Sequence, residues 1–87
     1  MKINFSLLTF SDLDGNKAEN IHKVLGNTIN KLALDFDLAD IAKAIYNGEE
    51  VELSQTQVEA VKVIIKHQDS WLLPLAQREI IRFIDTV

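Results

Sequence analysis

The sequence predicts a small α+β domain, mainly helical, with three or four helices and an N-terminal strand or hairpin that pairs with a short Val51-Glu52-Leu53 strand. Three observations carry that prediction. Near the start, Ile3, Phe5 and Leu7 alternate with Asn4 and Ser6, the period of two that marks a strand. From Ile21 the apolar spacing changes to steps of three and four, the period of an amphipathic helix. Finally, Gly48-Glu49-Glu50-Val51-Glu52-Leu53-Ser54-Gln55-Thr56-Gln57 spells a turn, a short alternating strand and a helix start in immediate succession.

In chain order, the first strand is expected to run from Lys2 to Phe10 and to end in the turn at Asp14-Gly15, where glycine accepts positive φ without a Cβ clash. Residues 16–20 are polar and lack β-branched side chains, so a returning second strand is left open. Ile21, Val24, Leu25, Ile29 and Leu32 form the stripe of a first helix. Gly26 interrupts it at a cost of about 1 kcal/mol relative to alanine, which points either to a close crossing with another element, the favoured reading, or to a weak helix. Asp37 is expected to cap a second helix with Leu38, Ile41, Ala42 and Ile45 inward, and Asn47-Gly48 to stop it.

The Val51-Glu52-Leu53 segment is too short to stand alone and is expected to lie antiparallel to the first strand. Ser54 and Gln57 then match the capping box, in which each side chain serves the other residue's amide. The helix they open turns Val58, Val61, Ile64 and Ile65 inward and should end near Gln68. Asp69 or Ser70 can cap a last helix, with Pro74 tolerated in its first turn. Its inward flank reads Leu73, Ala76, Gln77, Ile80, Ile81 and Ile84, widened by Leu72, Leu75 and Phe83.

Length and composition bound the function classes. The 87 residues make one domain, residues 1–87, and at that length roughly 60–65% of the unfolded chain's surface can be buried. A hydrophobic fraction of 47% in so small a body leaves part of the aliphatic stripes uncovered, so self-association to a homodimer or higher oligomer, or another protein partner, is expected. With 9 Lys+Arg against 13 Asp+Glu, a net charge of -4 and no basic cluster, no nucleic-acid binding is expected. The absence of cysteine removes disulfides, thiolate zinc sites and cysteine nucleophiles together. No signal-peptide pattern or membrane-length apolar run is present, so the expected location is cytoplasmic, away from membranes.

Candidate reactive groups each have a plainer explanation. Asp12-Leu13-Asp14-Gly15-Asn16 has the Asp-x-Asp-Gly spacing of haloacid-dehalogenase-type phosphatases, but the chain is too short for their sheet and supplies a turn instead. As a calcium loop it places Lys17 where glycine is required and Lys23 where a bidentate glutamate is required. His22 and His67 have no ligand partners at helical spacing, and Glu49, Glu50 and Glu52 fit a solvated strand edge that discourages stray pairing. No catalytic, cofactor-binding or metal-ligating residue is therefore assigned, and no enzyme activity or cofactor is expected. Trp71 has two readings, an exposed anchor for a partner or a plug closing one end of the core. With Leu72, Leu75 and Phe36 it makes up the candidate interface.

The order of these signals also resembles a family. A strand ending in Asp12-Leu13-Asp14-Gly15, a helix, a second helix reading Ile41-Ala42-Lys43-Ala44-Ile45-Tyr46, and the Gly48 to Ser54 segment before a helix carrying Ile64-Ile65-Lys66 are similar to a group of small uncharacterised proteins of tailed bacteriophages and prophages. The resemblance implies origin more than activity. The resulting expectation is a non-enzymatic protein–protein interaction protein of phage or prophage origin, a homo-oligomer or an adaptor, with a small dimeric transcriptional regulator as the alternative.

Overall fold

Strand, helix and turn signals resolve into four helices and one two-stranded sheet in a computed structural model that describes residues 1–87. The elements are β1 (Lys2–Ile3), α1 (Ile21–Leu32), α2 (Phe36–Tyr46), β2 (Val51–Glu52), α3 (Gln55–Lys66) and α4 (Pro74–Asp85). The fold is α+β and mainly helical, as the pattern predicts. β1 and β2 are antiparallel, with Lys2 opposite Glu52 and Ile3 opposite Val51. The Leu53 amide extends the ladder by donating to the Met1 carbonyl at 2.8 Å.

The first strand is much shorter than the alternation indicates. After Ile3 the chain turns into a 3-10 turn, Phe5–Leu7, because the Asn4 carboxamide accepts from the Ser6 amide at 3.0 Å and the Ser6 hydroxyl at 2.6 Å. A two-residue β2 offers no further ladder, so local side-chain bonding wins over extension. Phe5 is thereby driven into the core while Leu7 is left exposed. Farther on, the chain does double back: Ser11 bridges Lys17, and the Ala18 amide donates to the Phe10 carbonyl at 2.8 Å. The Asp12 carboxylate holds that loop by accepting from the Asp14 and Asn16 amides, both at 2.9 Å.

α1 and α2 form a helical hairpin and make the most extensive helix pair of the fold. Gly26 is the point of closest approach, and both it and Ala42 are buried. α2 begins two residues earlier than its expected cap. Asp35, not Asp37, accepts from the Leu38 amide at 2.8 Å, and Asp37 sits inside the first turn, where its charge favours the helix N-terminus. α3 opens with the expected capping box, the Ser54 hydroxyl accepting from the Gln57 amide at 3.2 Å and the Gln57 side chain from the Ser54 amide at 2.9 Å.

α4 starts later than either proposed cap. Ser70 instead accepts from the Leu72 amide at 3.1 Å, and Leu73 becomes the N-cap with no side-chain bond. Pro74 then occupies the first turn, where its missing amide leaves nothing unsatisfied. Leu73 consequently points away from the core rather than along the inward flank. Seventeen buried hydrophobic residues, drawn from both strands, the 3-10 turn and all four helices, form a single cluster, so the chain has one core. The Phe5 and Phe83 rings, 6.1 Å apart and tilted by 46°, tie the N-terminal segment to α4. Thr28 is the one buried polar side chain, and its hydroxyl donates to the Val24 carbonyl at 2.8 Å. No helix is long and apolar enough to cross a membrane.

Candidate interaction surface

The connection between α1 and α2 is only three residues long, and it turns its apolar side chains outward. Leu34 is 99% exposed and Phe36 88% exposed, although each neighbours helices that have interiors to fill. The cause is local. Leu34 lies in the turn with no helical phase, and Phe36 is the first residue of α2, two residues before Leu38 and so about half a turn out of phase with the side chain that enters the core.

Beside this turn lies a hollow of about 540 Å³ between the α1–α2 connection and the last turns of α3. Its apolar walls include Leu32, Leu34, Leu38, Ala60, Val63 and Ile64. Val63 is 65% exposed because it sits on the flank of α3 facing this hollow rather than on the Val58, Val61, Ile65 stripe that enters the core. On the other side of Leu34, a second hollow of about 400 Å³ is lined by Ala33, Leu34, Asp35, Phe36 and Ala39. Leu34 is thus a ridge between two depressions.

The polar groups on the larger hollow are Lys31, Asp35 and His67, and each is engaged in a structural bond. Lys31 Nζ donates to the Asp69 carbonyl at 3.0 Å and rests 4.7 Å from the centre of the Trp71 ring. Asp35 caps α2. His67 Nδ1 accepts from the Asp69 amide at 3.0 Å, which places the proton of the neutral imidazole on Nε2. Seven of the ten residues lining the hollow are hydrophobic, so what it presents is chiefly apolar surface.

No protein-family model, curated protein or solved structure matches this chain.

The four residues singled out in the sequence separate in the structure. Trp71 is 55% exposed and lies across the Lys31 ammonium, so it is not a plug sealing the core. Phe36 is on the outer surface, at the second hollow. Leu75 is half-buried in the first turn of α4. Leu72 is only 4% exposed and belongs to the interior, because the Ser70 hydroxyl and the Gln77 side chain fix its backbone amide and carbonyl and turn its side chain inward. Leu34 and Val63 were not anticipated. Their signal was present, however: each is a large apolar residue outside the phase of the neighbouring core stripe.

Other depressions fit a site less well. The groove outside the α1–α2 crossing is lined by Asn27, Asn30, Asp40, Lys43 and Tyr46 together with Gly26, Ala39 and Ala42, and it carries no large exposed aliphatic side chain. Asp12 and Asp14 spend their geometry on the turn, and no group of three or more His, Asp or Glu side chains is arranged to hold a metal ion.

Proposed function

We propose that this chain is a non-enzymatic interaction protein that recognises another polypeptide through the apolar face formed by Leu34, Phe36 and the hollow between Leu32 and Val63. The observation that carries this reading is the near-complete exposure of Leu34 and Phe36 beside an apolar hollow that they do not fill. Leaving large apolar side chains in water forgoes about 1.5–3 kcal/mol each, and contiguous exposed patches of this kind mark sites that a partner covers. Trp71 and Lys31 sit at the edge, an aromatic and a cation of the type enriched where interfaces meet solvent. The resemblance to small phage and prophage proteins would make that partner a second copy, another phage protein or a host protein.

A DNA-binding regulator draws less support, since the net charge is -4 and the basic residues are scattered. The test is site-specific photo-crosslinking in the source cell from a benzophenone side chain at Val63, with Asn30 on the polar groove as the control position. Discrete adducts from position 63 and none from position 30 are expected. Equal labelling at both positions, or none at either, would remove the interaction reading.

A further inference from the structure

We infer that the partner covering this face is a second copy of the same chain, joined by a two-fold axis that seats the Leu34 ridge of each copy in the larger hollow of the other. The inference rests on the proposed interaction face and adds its occupant.

The first argument is shape. A face that carries both a protruding apolar ridge and, directly beside it, an apolar hollow is complementary to itself after a two-fold rotation. Leu34 projects from the turn between α1 and α2 and borders both hollows. In an isologous pair the ridge that one copy presents is the filling that the other lacks. Phe36, beyond the ridge, then lies over the outer rim of the partner's hollow. A partner with an ordinary amphipathic helix would fill the hollow but would leave Leu34 and Phe36 standing in water.

Charge gives the second argument. The α3 side of the face carries Lys66 in its last turn, with Lys31 close by, while the start of α2 carries Asp35 and Asp37. A two-fold axis running between the Leu34 ridge and the larger hollow brings the acidic start of α2 in each copy toward the basic end of α3 in the other. Lys31 and Asp35 border the larger hollow itself, so opposite charges flank the apolar contact and favour one register of the pair.

Extent is the third. Twelve residues line the two hollows together, and a standard interface takes about 20–30 residues and about 800 Å² from each partner. The hollows supply the apolar centre of such a footprint, with Trp71 beside it through its contact with Lys31. About 800 Å² is roughly a seventh of the 5484 Å² surface, a share a small chain can commit to one contact.

The experiment is sedimentation equilibrium of the full chain over a wide concentration range, with Leu34→Asp as the variant and Leu13→Asp as the control. Leu13 is as exposed as Leu34 but lies in the Asp12 to Asn16 turn, away from the hollows, and neither change touches the core. The expected result is a wild-type dimer with a dissociation constant in the micromolar range, weakened about 100-fold by Leu34→Asp and unchanged by Leu13→Asp. Trp71 emission should shift to the blue across the same wild-type concentration range and stay fixed for Leu34→Asp. A wild-type chain that remains monomeric up to about 500 μM overturns the inference, as does a dimer indifferent to Leu34→Asp. If the purified chain is monomeric while crosslinking from position 63 yields adducts heavier than two copies, the second copy is the wrong occupant and the interaction face stands. If it is monomeric and position 63 gives no adduct, both readings fall together.

Discussion

A methyl group added to Gly26 would stand 2.8 Å from the Ala42 carbonyl oxygen and 2.9 Å from the Tyr46 Cβ across the α1–α2 crossing. Both neighbours are held by a helix backbone, so neither can give way by a rotamer change. The close crossing sets how deeply α2 sits against α1, and with it the direction in which the connection carrying Leu34 and Phe36 leaves the pair.

Gly26→Ala therefore opposes two effects. Alanine gains about 1 kcal/mol of helix propensity, while forcing a methyl into a filled crossing costs about 1–3 kcal/mol and can move the backbone. The steric cost is expected to win, giving a net loss of up to about 2 kcal/mol in a urea titration. A more stable Gly26→Ala chain would mean that the helices separate with ease.

The capping box at Ser54 and Gln57 should behave as a coupled pair. Ser54→Ala leaves the Gln57 amide without its acceptor and is expected to lower stability by about 1 kcal/mol. Gln57→Ala should cost less in the Ser54→Ala background than alone, because the two bonds support one geometry. A double-mutant cycle of thermal or denaturant unfolding measures that difference, and strict additivity would contradict it.

Lys31 and Trp71 connect the end of α1 to the α3–α4 connection through the ring contact and the bond to the Asp69 carbonyl. Lys31→Met keeps the aliphatic stem and removes the charge. A loss of about 0.5–1 kcal/mol is expected, together with a changed emission from Trp71, the single tryptophan of the chain. Unchanged fluorescence in Lys31→Met would show that the ammonium does not dwell over the ring.

Lys62 provides a pH test with a defined sign. Its ammonium donates to the Asp85 carboxylate at 2.6 Å, and this hydrogen bond, opposed by partial burial and helped by the charges of Asp85 and Glu59, holds its pKa above the ordinary 10.5. A raised folded-state pKa stabilises fully below the unfolded value and loses that contribution as pH rises through the folded value. The pair's contribution should thus be fully present and independent of pH near neutrality, and stability should fall in strongly alkaline solution. Asp85→Asn should flatten that alkaline limb in a series of melts, and a limb of equal steepness would assign the loss to other groups.

Local rules recovered much of the fold because they depend on neighbours in sequence. The Ser54 capping box, the stop at Asn47-Gly48, the place of Pro74 and the pairing of the Val51 segment with the N-terminus are all settled within a few residues or by the lack of any other strand partner. The failures came where two local options competed. Asn4 could continue a strand or bond the Ser6 amide, and a two-residue β2 left nothing to reward extension. Asp35 and Asp37 could both cap α2, and the turn after Ala33 brought Asp35 into position first. Leu72 and Leu73 are adjacent and equally apolar, yet one is inside and the other outside, depending on where α4 began.

Period, caps and composition are properties of the linear order, and they suffice to make this chain a small, mainly helical α+β domain with aliphatic stripes. Which apolar groups were surplus was settled by packing. Burial is a competition among stripes for one interior, and its outcome hangs on a glycine that lets two helices touch, a serine that turns Leu72 inward, and a three-residue connection that leaves Leu34 in solvent.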